Sequence, residues 1–144
     1  MIIKTRISVL WIALVLLVSG MAGCSKEKVQ DAKEDFVMNL ITSNLWKITL
    51  FTSGTEDYTS SFNVYDFKFD KDGTVSAMLG STSVLAGTWA GSAENMTITS
   101  NFPTATSPLN KFNGVWKITK TTLSSVKSER YEGTVLLKCN LDKK

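Results

Sequence analysis

Apolar residues in this chain follow two rhythms. Val29, Ala32, Phe36 and Leu40 fall at helical spacing. From Leu45 to Leu141 apolar and polar residues alternate at period two, in short runs broken by turn residues. The first rhythm predicts a helix over 31–41, with Asp31 and Glu34 at capping-box spacing and Asn44 as its stop.

The second rhythm predicts eight strands. They lie near 45–52 (Trp46, Ile48 and Leu50 on one face), 62–69 (Tyr65, Phe67, Phe69), 74–79 (Val75, Ala77, Leu79) and 83–90 (Leu85, Gly87, Trp89). The others lie near 95–100 (Met96, Ile98), 111–119 (Phe112, Gly114, Trp116, Ile118), 122–128, and 132–141 (Val135, Leu137, Cys139, Leu141). Asp70-Lys71-Asp72-Gly73 is a tight hairpin turn, its Gly supplying positive φ. Regular short strands indicate an all-β fold, and a meander of eight closes into an antiparallel barrel without edges.

In a meander the loops alternate between two ends. The two longest, 53–61 and 101–110, fall together; the opposite end has the turns near 70–73, 91–94 and 120–121. The helix feeds the first strand from that tight end and is expected to close it. Trp46, Trp89 and Trp116, with Phe69, Val75, Met96 and Cys139, map toward the closed end and read as a packed floor. The motif Trp-Lys-Ile-Thr stands at both 46–49 and 116–119.

The first residues set the compartment. Lys4 and Arg6 precede Ile7–Val18, a 12-residue stretch that is apolar except for Ser8. That length suits a secretory signal better than a membrane span. Met21-Ala22-Gly23-Cys24 then resembles a bacterial lipobox. The expected organisation is a lipoprotein signal peptide at 1–23, a tether at 24–30 lipidated on Cys24 (palmitate among the acyl chains), and a barrel domain with its helix at 31–144. Two or more acyl chains anchor a protein stably without a spanning helix. The expected location is the bacterial cell envelope, with the outer membrane favoured because Ser25, not Asp, follows the Cys.

Charge and chemistry then exclude functions. Without its first 23 residues the chain keeps 121 of 144, enough for one core, with 14 basic residues against 13 acidic. That balance, without a basic run, argues against nucleic acid as a partner. The chain has no His, so His-dependent triads and His-bearing zinc sites are excluded. It has no Gly-rich phosphate loop and no paired Cys motif, and Asp70-x-Asp72-Gly73 lacks the spacing of a calcium loop. We therefore expect no enzyme, cofactor or metal. Cys139, the second of two cysteines, alternates with Leu137 and Leu141 and is expected to be a buried thiol.

Residues expected nearer the mouth are Asn63, Tyr65, Leu79, Leu85, Ile98, Phe112 and Val135, with Arg130 in a mouth loop able to meet an anionic head group. An eight-stranded barrel is just wide enough to be filled by side chains or to hold one small ligand. Pattern alone leaves both open.

Asn44-Leu45-Trp46 at the first strand, the hairpin Phe67-Lys68-Phe69-Asp70-Lys71-Asp72-Gly73-Thr74, and Gly87-Thr88-Trp89 together resemble the lipocalin-like, calycin-type lipoproteins of Gram-negative bacteria. The resemblance covers about 36–141. It implies an eight-stranded barrel with a small apolar or amphiphilic ligand inside. The alternative is an accessory or structural lipoprotein, with a filled barrel whose loops touch a partner protein.

Overall fold

Strand β1 (Leu45–Ser53) closes the sheet on itself, pairing antiparallel with the strands that follow it and with the last strand of the chain. The computed structural model describes residues 26–144; the signal peptide, the lipobox and Cys24 lie outside the described residues. After helix α1 (Lys26–Thr42) and β1 come a two-residue strand β2 (Glu56–Asp57) and a short helix α2 (Thr59–Phe62). Then follow β3 (Asp66–Phe69), β4 (Thr74–Leu79), β5 (Thr82–Ser92) and β6 (Thr97–Asn101). A 3-10 turn η1 (Leu109–Phe112) precedes β7 (Gly114–Thr121), β8 (Ser125–Glu132) and β9 (Val135–Lys143). The chain divides into two units, Met1–Ala32 and Lys33–Lys144; the second holds the barrel and the last part of α1. Each barrel strand pairs with its sequence neighbour and β9 returns to β1, an eight-stranded closed meander as the alternation predicts.

The closed end forms as the loop lengths predict. Val37, Met38 and Leu40 pack on the core and Ile41 is buried in it. The Trp46 indole donates to the Ile41 carbonyl (2.9 Å), the Trp89 indole to the Asp70 carbonyl (2.9 Å), and Lys71 to the Asn39 side chain (2.7 Å). The helix is longer than expected, however. It starts at Lys26, inside the expected tether, so Asp31 lies within it and does not cap it. Its packed face is also rotated: Ala32 and Phe36 are exposed, Phe36 by 57%. Val37 and Ile41, one turn apart, reach the core instead.

Local irregularities account for the other departures. A shift between Ile48 and Leu50 turns Phe51 inward and leaves Leu50 half-buried. Met96, expected inside, is exposed with positive φ (51°) in the turn before β6. The expected second strand is shorter. β3 begins at Asp66, and only Leu45 and Trp46 of β1 pair with it. Beyond them α2 and its flanks cover the β1 edge: Tyr58 N–H donates to the Phe51 carbonyl (2.8 Å), Phe51 N–H to the Thr59 hydroxyl (2.9 Å), and the Phe51 and Phe62 rings stack at 4.6 Å. These bonds satisfy backbone groups that a missing neighbour would leave bare.

Candidate functional site

The barrel interior beneath the long loops is lined by aromatic side chains. Trp46, Phe51, Phe62, Phe67, Phe69, Phe102, Phe112 and Trp116 are all at most 2% exposed. Five of these rings form a connected run: Phe51 edge-on to Trp116 (5.6 Å), Trp116 to Phe112 (6.1 Å), Phe112 to Phe67 (5.1 Å), and Phe67 to Phe102 (6.4 Å). Aromatic rings at these separations pack as a protein core does.

The loop between β6 and β7 supplies part of that core. It turns inward and stoppers the mouth, burying Phe102, Leu109 and Phe112. The Asn113 side chain clamps Phe102 twice, its Oδ1 accepting the Phe102 N–H (2.7 Å) and its Nδ2 donating to the Phe102 carbonyl (3.1 Å). The Phe112 carbonyl accepts from the Ser100 hydroxyl (2.5 Å) and the Trp116 indole (2.8 Å). Lys111 lies 4.5 Å over the Tyr58 ring, so the stopper also touches the segment that covers β1.

Phe112 and Arg130, expected at the mouth, and Trp116, expected at the closed end, therefore have other settings. Phe112 is a core ring, because β7 begins at Gly114 and residues 109–112 form η1. For the same reason Trp116 sits near the start of its strand, against Phe51 and Phe112, and does not join Trp46 and Trp89 beside the helix. Arg130 lies within β8, not in a loop. Its guanidinium stacks over Trp116 at 5.1 Å and donates to the Lys111 carbonyl (3.2 Å), with Glu132 at 3.8 Å. Its buried Nε has no hydrogen-bond partner among the described residues.

The remaining candidates are not brought to one lining. Ile98 is a core residue paired across the ladder with Trp116. Tyr65 and Leu85 are half-buried at the edge of the core. Asn63 is exposed and its carbonyl accepts from Lys47 (3.1 Å). Leu79, the last residue of β4, and Val135, the first of β9, are exposed at the loop-rich end, because the strands carry them past the packed rings. Strand alternation does not reach the stopper, since Phe102 and Leu109 stand in the loop 101–110, which carries Pro103 and Pro108.

A shallow crevice of about 60 Å³ lies at the opposite end, lined by Glu34, Val37, Met38, Trp89, Gly91 and Ala93. Pockets for drug-sized molecules start near ~300 Å³, so it takes a few atoms at most. Burial pushes the Cys139 thiol far above its ordinary pKa, which makes it an unreactive core group. Among the described residues no cluster of His, Cys, Asp or Glu is placed to hold a metal.

No family model matches the chain, and no curated protein does. It is similar to the crystal structure of a DUF4847 family protein from Bacteroides vulgatus, with 12% identity and a TM-score of 0.49 over 72% of this chain and 95% of that one.

Proposed function

We propose that this protein is a lipid-anchored, non-catalytic envelope lipoprotein with a filled lipocalin-like barrel, whose loop-rich end contacts a partner protein. The observation that carries the reading is the stopper: Phe102, Leu109 and Phe112 occupy the space under the mouth where a ligand would lie. The same end exposes Leu79, Val84, Val115, Tyr131 and Val135. Tyr is enriched at the centres of protein interfaces, and clustered exposed apolar groups mark contact surfaces. The anchor rests on Met21-Ala22-Gly23-Cys24 and the apolar stretch before it. Its outer-membrane location rests on Ser25.

Native mass spectrometry of protein purified from its own host membranes tests this reading. The expected spectrum contains the processed chain with covalent lipid on Cys24, alone or with a second polypeptide. A stoichiometric small ligand released on gentle activation would overturn the filled-barrel reading. Cys24→Ala is expected to leave unprocessed, unlipidated precursor; normal processing and membrane fractionation would overturn the anchor.

A further inference from the structure

The two ends of the barrel differ in chemistry. At the closed end, the turn between β7 and β8 presents Leu123, 68% exposed. Lys120 and Lys127 flank it and are direct cross-strand partners. Like charges directly opposite each other on a sheet are destabilising. Yet neither makes an ion pair among the described residues, and nor does the neighbouring Lys143. The acid nearby, Asp142, accepts a hydrogen bond from the Thr49 hydroxyl.

The turn is already shaped. Thr122 N–H donates to the Ser125 carbonyl (2.8 Å), and Lys143 N–H to the Ser124 carbonyl (2.8 Å), which ties the tip to β9. Leu123 is therefore held out, and among the described residues it is not part of the core. The next turn at this end repeats the theme more weakly: Met96 is exposed, and Lys117 donates to the Asn95 carbonyl (2.6 Å) while standing opposite Glu129 on the neighbouring strand. At the loop-rich end the apolar residues instead stand near the exposed Glu56 and Glu132, while Glu129 and Lys138 pair with each other farther along the strands.

We propose that the β7–β8 turn is a membrane-contact tip: Leu123 enters the interface of an anionic phospholipid bilayer, and Lys120, Lys127 and Lys143 meet its headgroup phosphates. An apolar side chain ringed by lysines matches both layers of such a surface, and lysines near anionic lipid are attracted within a Debye length. The tip rests on the proposed anchor for its strength. Cys24 is nine residues upstream of Lys33, where the chain enters the barrel unit. Because residues 26–33 belong to α1 and rise about 1.5 Å each, that length reaches about 20 Å, so a lipid there raises the local concentration of bilayer around the tip. The anchor holds the protein to the membrane; the tip orients it, leaving the loop-rich end to the aqueous space.

The test uses the processed full chain reconstituted in vesicles containing about 30 mol% phosphatidylglycerol and in purely zwitterionic vesicles. A nitroxide is placed at Ser124→Cys on the tip, or at Thr134→Cys in the β8–β9 turn at the far end. Cys139 stays, since it is buried and unreactive. In anionic vesicles the label at 124 is expected to show more contact with dissolved oxygen, and less with an aqueous nickel complex, than the label at 134. Leu123→Asp should abolish that difference, and Lys120→Glu with Lys127→Glu should shrink it, as should zwitterionic lipid. Equal accessibility at both sites, or a deeper label at 134, would overturn the tip. The mass of the Cys24 peptide from the same preparation reports the anchor separately. If that peptide carries no lipid, sedimentation with anionic vesicles decides: pelleting lost in Leu123→Asp supports the tip, and pelleting absent or unchanged overturns it.

Discussion

Gly87→Ala tests whether the stopper is seated as described. A Cβ at Gly87 would stand 2.3 Å from the Asn101 carbonyl oxygen and 2.8 Å from Cδ1 of Phe102. The first atom is backbone, so no rotamer change relieves the contact. Reaching van der Waals separation requires a shift of about 1 Å between β5 and the base of the stopper. That shift loosens the pairing of Thr88 with Asn101 and strains both Asn113 bonds to Phe102. Overpacking costs about 1–3 kcal/mol and each weakened hydrogen bond about 1 kcal/mol. The lower unfolded-state entropy of Ala returns about 0.4–1 kcal/mol. The net loss should be about 2–4.5 kcal/mol, read as a fall in Tm of roughly 8–18 °C. Gly91→Ala is the control, since its nearest neighbour is a side-chain atom, Cζ3 of Trp89, at 3.3 Å. Urea unfolding gives the energies, and hydrogen exchange at Phe102 and Asn113 shows whether the loss is local. Gly87→Ala within about 0.5 kcal/mol of the parent, with unchanged exchange, would refute the close approach and the stopper with it.

Three further outcomes follow from the core. Trp46→Ala should cost about 3–5 kcal/mol by urea unfolding. Trp46→Phe should cost more than Trp116→Phe through lost hydrogen bonding, because the Ile41 carbonyl would lose its indole donor while the Phe112 carbonyl keeps Ser100. Lys144→Ala should destabilise by about 1–3 kcal/mol, because buried Asp66 would lose its 2.5 Å partner while its other oxygen already lacks a hydrogen bond, leaving Lys47 at 3.6 Å. Finally, the Cys139 thiol keeps its proton when folded, but the unfolded chain releases it above about pH 8.5. The unfolded state then binds fewer protons, so relative to Cys139→Ala stability should fall by about 1.4 kcal/mol per pH unit above that point, and stay flat below it.

The alternating pattern carried the topology because β-strand side chains have a period of two and the inward face must be apolar. Phe67, Phe69, Val75, Ala77, Leu137, Cys139 and Leu141 all point inward as read. The pattern failed where one residue broke the period. The bulge before Leu50 exchanged it for Phe51, and positive φ at Met96 took that residue out of β6. Neither event has a sequence signature: the bulge contains no Gly, and Met is a rare occupant of positive φ.

The mouth was harder to read for a different reason. A ligand-binding barrel and a self-filled one share the same inward alternation, and only the loops distinguish them. Here the deciding residues are Phe102 and Leu109, which lie outside any alternating run, Phe112, which alternates with Gly114 and Trp116 but folds into η1, and Asn113, whose amide holds the Phe102 backbone from both sides. A large exposed ring over an open mouth would cost apolar burial and leave a wide interior to water. Folding three apolar side chains of the loop inward removes both penalties, and Gly87 provides the gap through which the chain passes. The interior is then filled by the chain's own side chains, and the two proposed contacts rest on the apolar loop-rich end and the lysine-flanked turn opposite it.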